Sequence, residues 1–148
     1  METEKFIDGL NKLLEINNDR TEGYETAAKE TEDTELKSRF RMFASQSREF
    51  SSQLKSIIRD NSGTPVEGTT TSGKFYRAWM DIKSALSGKD KKAIASSCEF
   101  GEDVAKDTYK SVLEEYDLPQ DVKTKIVDQQ QQILAAHNSI KTLRDSMI

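Results

Sequence analysis

The chain carries one histidine, His137, and one cysteine, Cys98, so metal and nucleophile chemistry have few places to sit. A di-iron centre in a helical bundle takes one Glu from each of two helices and a Glu-x-x-His from each of the other two, because residues three apart share a helix face. The residue three before His137 is Leu134, and no Glu-x-x-His exists anywhere. Where ligand carboxylates would be needed, the seams offer Asn17 and Ser47. A neutral amide and a hydroxyl do not offset the charge of two cations. What remains is a single-metal candidate, Glu102 with His137, which fall at matching height when measured from their hairpin turn. The competing account is a hydrogen-bonded polar layer of Asn17, Ser47 and Gln129 that fixes helix register, as a buried Asn does in coiled coils. Two ligands on adjacent helices fall short of a coordination sphere, so the layer is the expectation and Glu102 and His137 stay as metal candidates.

Cys98 falls near the height of His137, which raises a Cys–His nucleophile. No oxyanion donor or third orienting group accompanies it, and a small buried cysteine is ordinary core material. Tyr24 and Tyr109 read as core tyrosines with bonded hydroxyls rather than radical or proton relays. No catalytic residue is assigned, and a non-enzymatic protein is expected.

The elements that must position these residues are helices. Phe6, Leu10, Leu13, Tyr24 and Ala28 recur at steps of three and four, with Asn17 in the middle slot, predicting a helix from about Glu4 to Glu30. Leu36, Phe40, Phe43, Phe50, Leu54 and Ile57 predict a second from about Thr34 to Arg59, with Ser47 central. A third is predicted from about Asp90 to Tyr116, with Ile94, Cys98, Gly101, Ala105, Thr108 and Val112 inward and Glu102 on the flank. A fourth runs from about Pro119 to Met147 through Val122, Ile126, Ile133, Ile140 and Leu143. Proline is tolerated in a first turn, where its missing N–H costs nothing. The four arms are matched at roughly 40 Å each. The short acidic link Thr31 to Thr34 makes the first two helices antiparallel neighbours. Residues from about 60 to 88 form a long crossover, with a Gly63-x-Pro65 turn signal and a threonine run, followed by an aromatic amphipathic stretch from Lys74 through Lys83 in a short helix ending at Gly88. The expected fold is therefore all-α: one domain over residues 1–148, a ferritin-like up-down four-helix bundle with a long crossover carrying an extra helix.

Composition agrees. With 148 residues, 34% hydrophobic, 32% charged and only two prolines, the chain suits long amphipathic helices that bury one stripe and solvate the rest. Net charge is −4 with both signs interleaved, which excludes a phosphate-tracking basic surface and argues against nucleic acid as a partner. No basic segment followed by an apolar one opens the chain, and no apolar run approaches bilayer length, so a cytoplasmic protein without membrane contact is expected.

Several stretches resemble a bacterial family of ferritin-like four-helix bundles, the domain of unknown function 2383 family. They are LNKLLEINNDR (Leu10 to Arg20) with Gly23 and Tyr24, and RAWMDIK (Arg77 to Lys83). On the later helices they are CEFGED (Cys98 to Asp103) with Tyr109, and HNSIKTLRD (His137 to Asp145). The resemblance implies a fold and assigns no reaction. A stress-related role follows only from the company that ferritin-like bundles keep.

The expected function is a non-enzymatic interaction or accessory protein without a complete di-iron site or any expected cofactor. Phe75, Tyr76 and Trp79 either cap the bundle or form an interface for self-association, as a homodimer, or for a protein partner. The alternative is a metal-binding or redox bundle around Glu102 and His137.

Overall fold

The computed structural model describes residues 2–67 and 91–146. Four helices are present among them: α1 (Glu2–Glu30), α2 (Thr34–Asp60), α3 (Lys91–Glu115) and α4 (Gln120–Ser146). They coincide with the four seams within two residues at each end, and no strand occurs among the described residues. The fold is an all-α four-helix bundle. The remainder of the expected crossover, with its aromatic helix, lies outside the described residues from residue 68 onward.

Local chemistry sets the helix ends. Asp33 caps α2, its carboxylate accepting from the Leu36 amide at 2.9 Å and so satisfying one of the orphan N–H groups of the first turn. At the other end, Ser62 adopts a left-handed conformation (φ 64°) and the Gly63 amide reaches back to the Ile58 carbonyl at 2.8 Å. That bond spans five residues, the six-to-one closure typical of a left-handed helix cap. Glycine is required at 63 for space: a Cβ there would meet Ile7 and Ile58 side chains at 2.8–2.9 Å. Asn11 then pins the start of the loop to α1, its amide donating to the Thr64 carbonyl and its oxygen accepting from the Val66 amide.

Two apolar blocks make the core. One gathers Phe6, Leu10 and Leu13 of α1, Leu54 and Ile58 of α2, Val112 of α3, and Val122 and Ile126 of α4. The other gathers Tyr24 and Ala28 of α1, Phe40 and Phe43 of α2, Ile94 and Cys98 of α3, and Ile140 of α4. Membership of the blocks gives the helix directions. The first block holds the start of α1 and α4 and the end of α2 and α3, so α2 and α3 run the same way, opposite to α1 and α4. α1 packs chiefly on α2 and α3 on α4, with α1–α3 and α2–α4 contacts joining the two hairpins. Each fully buried Leu or Ile contributes about 1.5–3 kcal/mol of gross transfer free energy, which makes the two blocks the main source of cohesion. Polar side chains occupy the level between them.

Candidate functional site

Arg20 is the centre of that level. It lies on the α1 stripe between Asn17 and Tyr24 and is 0% exposed. Its Nε donates to Glu102 Oε1 at 2.8 Å. Its Nη1 donates to Ser47 Oγ and Gln46 Oε1, both at 2.8 Å, and more weakly to the Phe43 carbonyl at 3.4 Å. The guanidinium carbon lies 5.4 Å from the centre of the Tyr24 ring and 5.5 Å from that of Phe43. These are cation–π distances in a desolvated setting.

Glu102 reaches this cation from α3, 1% exposed. Its Oε1 accepts a second bond, 2.5 Å from the Tyr24 hydroxyl. One carboxylate oxygen thus takes both donors, while Glu102 Oε2 and Arg20 Nη2 have no protein partner among the described residues. The network continues sideways. Ser47 Oγ donates to Asn17 Oδ1 at 3.0 Å, and Asn17 Nδ2 donates to the Tyr109 hydroxyl at 2.8 Å. Tyr109 donates to Gln129 Oε1 at 2.7 Å, and Gln129 Nε2 donates to Gln53 Oε1 at 2.9 Å. Side chains of all four helices are joined in one bonded set.

Electrostatics here favour one protonation pattern. Burial works against the Arg20 charge, but Glu102 together with the Tyr24 and Tyr109 hydroxyls outweighs it and the guanidinium pKa is raised. Burial pushes the Tyr24 hydroxyl well above the usual tyrosine range, and the Glu102 charge adds to the shift. Burial likewise raises Tyr109 and the Cys98 thiol, with Glu102 contributing to the latter. The two tyrosines and the cysteine therefore stay neutral at physiological pH. A thiol held neutral is a poor nucleophile, because the thiolate is the reactive form.

A second polar group lies on the α3–α4 flank. Glu99 and Asp103, four apart on α3, present carboxylates on one face. His137 of α4 meets them: its Nε2 is 2.7 Å from Asp103 Oδ1 and 3.8 Å from Glu99 Oε1. Its Nδ1 lies 3.2 Å from Asn138 Oδ1. One ligand atom from each of Glu99, Asp103 and His137 lies within 4.8 Å of the others.

The structure brings Asn17, Ser47 and Gln129 into one network and gives Glu102 and His137 different partners. Glu102 points to the axis and is fully buried, although the helical wheel placed it on the flank, because Arg20 and Tyr24 draw it in. His137 turns to the acids of α3. Thr108, expected inward, is only partly buried and bonds the Val104 carbonyl, while Tyr109 takes the interior position. Cys98 is buried in the second apolar block. Phe75, Tyr76 and Trp79 lie outside the described residues. Sequence reasoning passed over Arg20, Glu99 and Asp103. The signal for Arg20 was present, since the three-four alternation from Leu13 to Tyr24 passes through position 20.

Fold and interior together define a class: an all-α four-helix bundle whose middle level is a buried Arg–Glu pair in a web of amides and hydroxyls. The family model described as Domain of unknown function (DUF2383) matches residues 5–115, from α1 to the end of α3. The chain belongs to this family. No curated protein matches it. No helix among the described residues is long and apolar enough to cross a membrane.

Proposed function

We propose that the protein is a non-enzymatic helical bundle that works as a cytoplasmic interaction or accessory protein, with its interior committed to structure. The reading rests on Arg20. A permanent cation occupies the axis where a di-iron centre would place its metals, and Glu102, the carboxylate aimed there, already neutralises it. A further cation roughly 5 Å from the guanidinium would meet about 3 kcal/mol of repulsion per unit charge. The neighbours, Asn17, Ser47 and Gln129, are neutral and bonded to one another's partners. Interaction would use the surface, self-association through Phe75, Tyr76 and Trp79 being the partner proposal.

Two measurements test this. Ferrous iron added anaerobically and then exposed to air should give no pair of irons per chain. Two irons that vanish in Glu102→Gln would overturn the reading of the interior. Light scattering should show a wild-type dimer that becomes a folded monomer in Trp79→Ala; a wild-type monomer would remove the self-association claim. The alternative of a metal-binding bundle keeps one observation in its favour, the convergence of His137 with Glu99 and Asp103.

A further inference from the structure

We propose that Glu99, Asp103 and His137 form a mononuclear site for a first-row divalent cation, Zn2+ being the best fit, on the α3–α4 flank and separate from the axial network. Three features carry this. The ligand set is one imidazole nitrogen and two carboxylate oxygens, the mixed donor type that suits Zn2+ and its neighbours rather than Ca2+ or Mg2+. Ligand atoms around such a tetrahedral ion, at about 2.0–2.2 Å from it, lie about 3.3–3.6 Å from one another. The separations found, 2.7 Å from Nε2 to Asp103 Oδ1 and 3.8 Å from Nε2 to Glu99 Oε1, bracket that range. The three ligand atoms all lie within 4.8 Å of one another, so side-chain rotations that shift the carboxylates by about an ångström would bring all three onto one ion.

The second feature is the orientation of the ring. His137 is only 9% exposed, so it cannot swing freely into solvent. Its Nδ1 faces the Asn138 oxygen and its Nε2 faces a carboxylate, so both nitrogens look at acceptors. A neutral imidazole carries one N–H and satisfies only one of these. When Nδ1–H is donated to Asn138, Nε2 would turn its lone pair to the side of the two carboxylates, where a cation takes the place of the 2.7 Å hydrogen-bond contact with Asp103. A partner oxygen that fixes the other ring nitrogen is the usual outer support of a ligating histidine.

The third feature is the cost of the acids themselves. Like charges four apart on a helix repel, and besides His137 Asp103 meets Lys106 Nζ at 3.4 Å on its exposed side. An ion between Glu99 and Asp103 removes that repulsion. Asp103 is 41% exposed at its side chain, which leaves the remaining coordination position open to water.

Calorimetric titration of the full chain with ZnCl2, after chelator treatment and dialysis, tests the site. One ion per chain is expected, weakened at least about 100-fold in His137→Gln and in Asp103→Asn, and about 10-fold in Asn138→Ala, which removes only the outer support. Circular dichroism on each variant checks that the helices persist. Glu115→Gln, an exposed acid elsewhere on α3, should leave the titration unchanged. Absence of a one-to-one ion in the wild type, or Zn2+ binding that folded His137→Gln and Asp103→Asn retain, would overturn the proposal. Loss of the ion in Glu102→Gln alone would instead place it on the axis, against both this site and the structural reading of the interior.

Discussion

Glu102 and Asp103 are neighbours on α3 and carry the same functional group, yet they live in different solvents. Glu102 is 1% exposed and faces a guanidinium and a tyrosine hydroxyl. Asp103 is 41% exposed at its side chain and faces an imidazole, a lysine and water. The 100° step between consecutive helix residues is enough to separate them. Inside, a charge persists only if an opposite charge and hydrogen bonds replace its hydration. Outside, water does most of that work and the protein is free to leave donor atoms uncommitted. The same acid is thus a structural element at one position and an available ligand at the next.

The strongest way to break that contrast is to remove the cation from the interior. Arg20→Met leaves Glu102 buried without its counter-charge and strips donors from Ser47 and Gln46. Urea unfolding should show a loss of about 3–5 kcal/mol, as for other buried pairs deprived of one partner. The double variant Arg20→Met with Glu102→Leu should recover most of it, because the desolvation of both ions is no longer incurred. A single variant that costs less than 1 kcal/mol would mean that water reaches the pair and that the interior is no different from the flank.

How far the sequence disclosed this contrast differs from one residue to the next. The four helices were legible because Phe, Leu and Ile recur at steps of three and four, a pattern that only an amphipathic helix explains. Asn17, Ser47 and Gln129 were legible as an inward polar level because each interrupts such a seam. Arg20 was not, because arginine is by type an exterior residue and spacing alone does not show that an acid across the axis pairs with it. Glu102 was misplaced to the flank for a related reason: a helical wheel knows spacing but not that a cation waits across the axis. The grouping of Glu99 and Asp103 with His137 depends on how α3 and α4 are rotated against each other. Packing sets that rotation, and periodicity within one helix does not record it.

A second, smaller effect sharpens the comparison through pH. Cys98, Tyr24 and Tyr109 hold their protons more tightly when folded than the reference values of 9.0 and 10.0. The unfolded chain therefore releases these protons first as pH rises, and the stability they support is complete below about pH 9 and lost above it. Each group contributes a slope of about 1.4 kcal/mol per pH unit once its unfolded value is passed. The free energy of urea unfolding should hold up to about pH 8.5 and fall by about 2 kcal/mol by pH 10. Cys98→Ala should delay the onset to the tyrosine range. A free energy flat to pH 10 would show that these groups meet water, and the interior would lose its special status.

The smallest expected effect comes from repeating the chemistry of the axis at the surface. Arg48 and Glu25 pair across α2 and α1 with the same two functional groups as Arg20 and Glu102, but their side chains are 61% and 40% exposed. Water already solvates both partners, so forming the pair gains little and ordering two long side chains offsets part of the gain. Glu25→Gln should change unfolding stability by less than about 0.5 kcal/mol, and added salt should shrink even that, since exposed charges are screened within a Debye length. Neither partner is left stranded in a dry interior when the other is removed, which is the whole source of the larger cost at Arg20. A loss at Glu25 comparable to the loss at Arg20 would mean that pairing itself, and not burial, sets the energy, and the distinction between the two sides of α3 would have no physical basis.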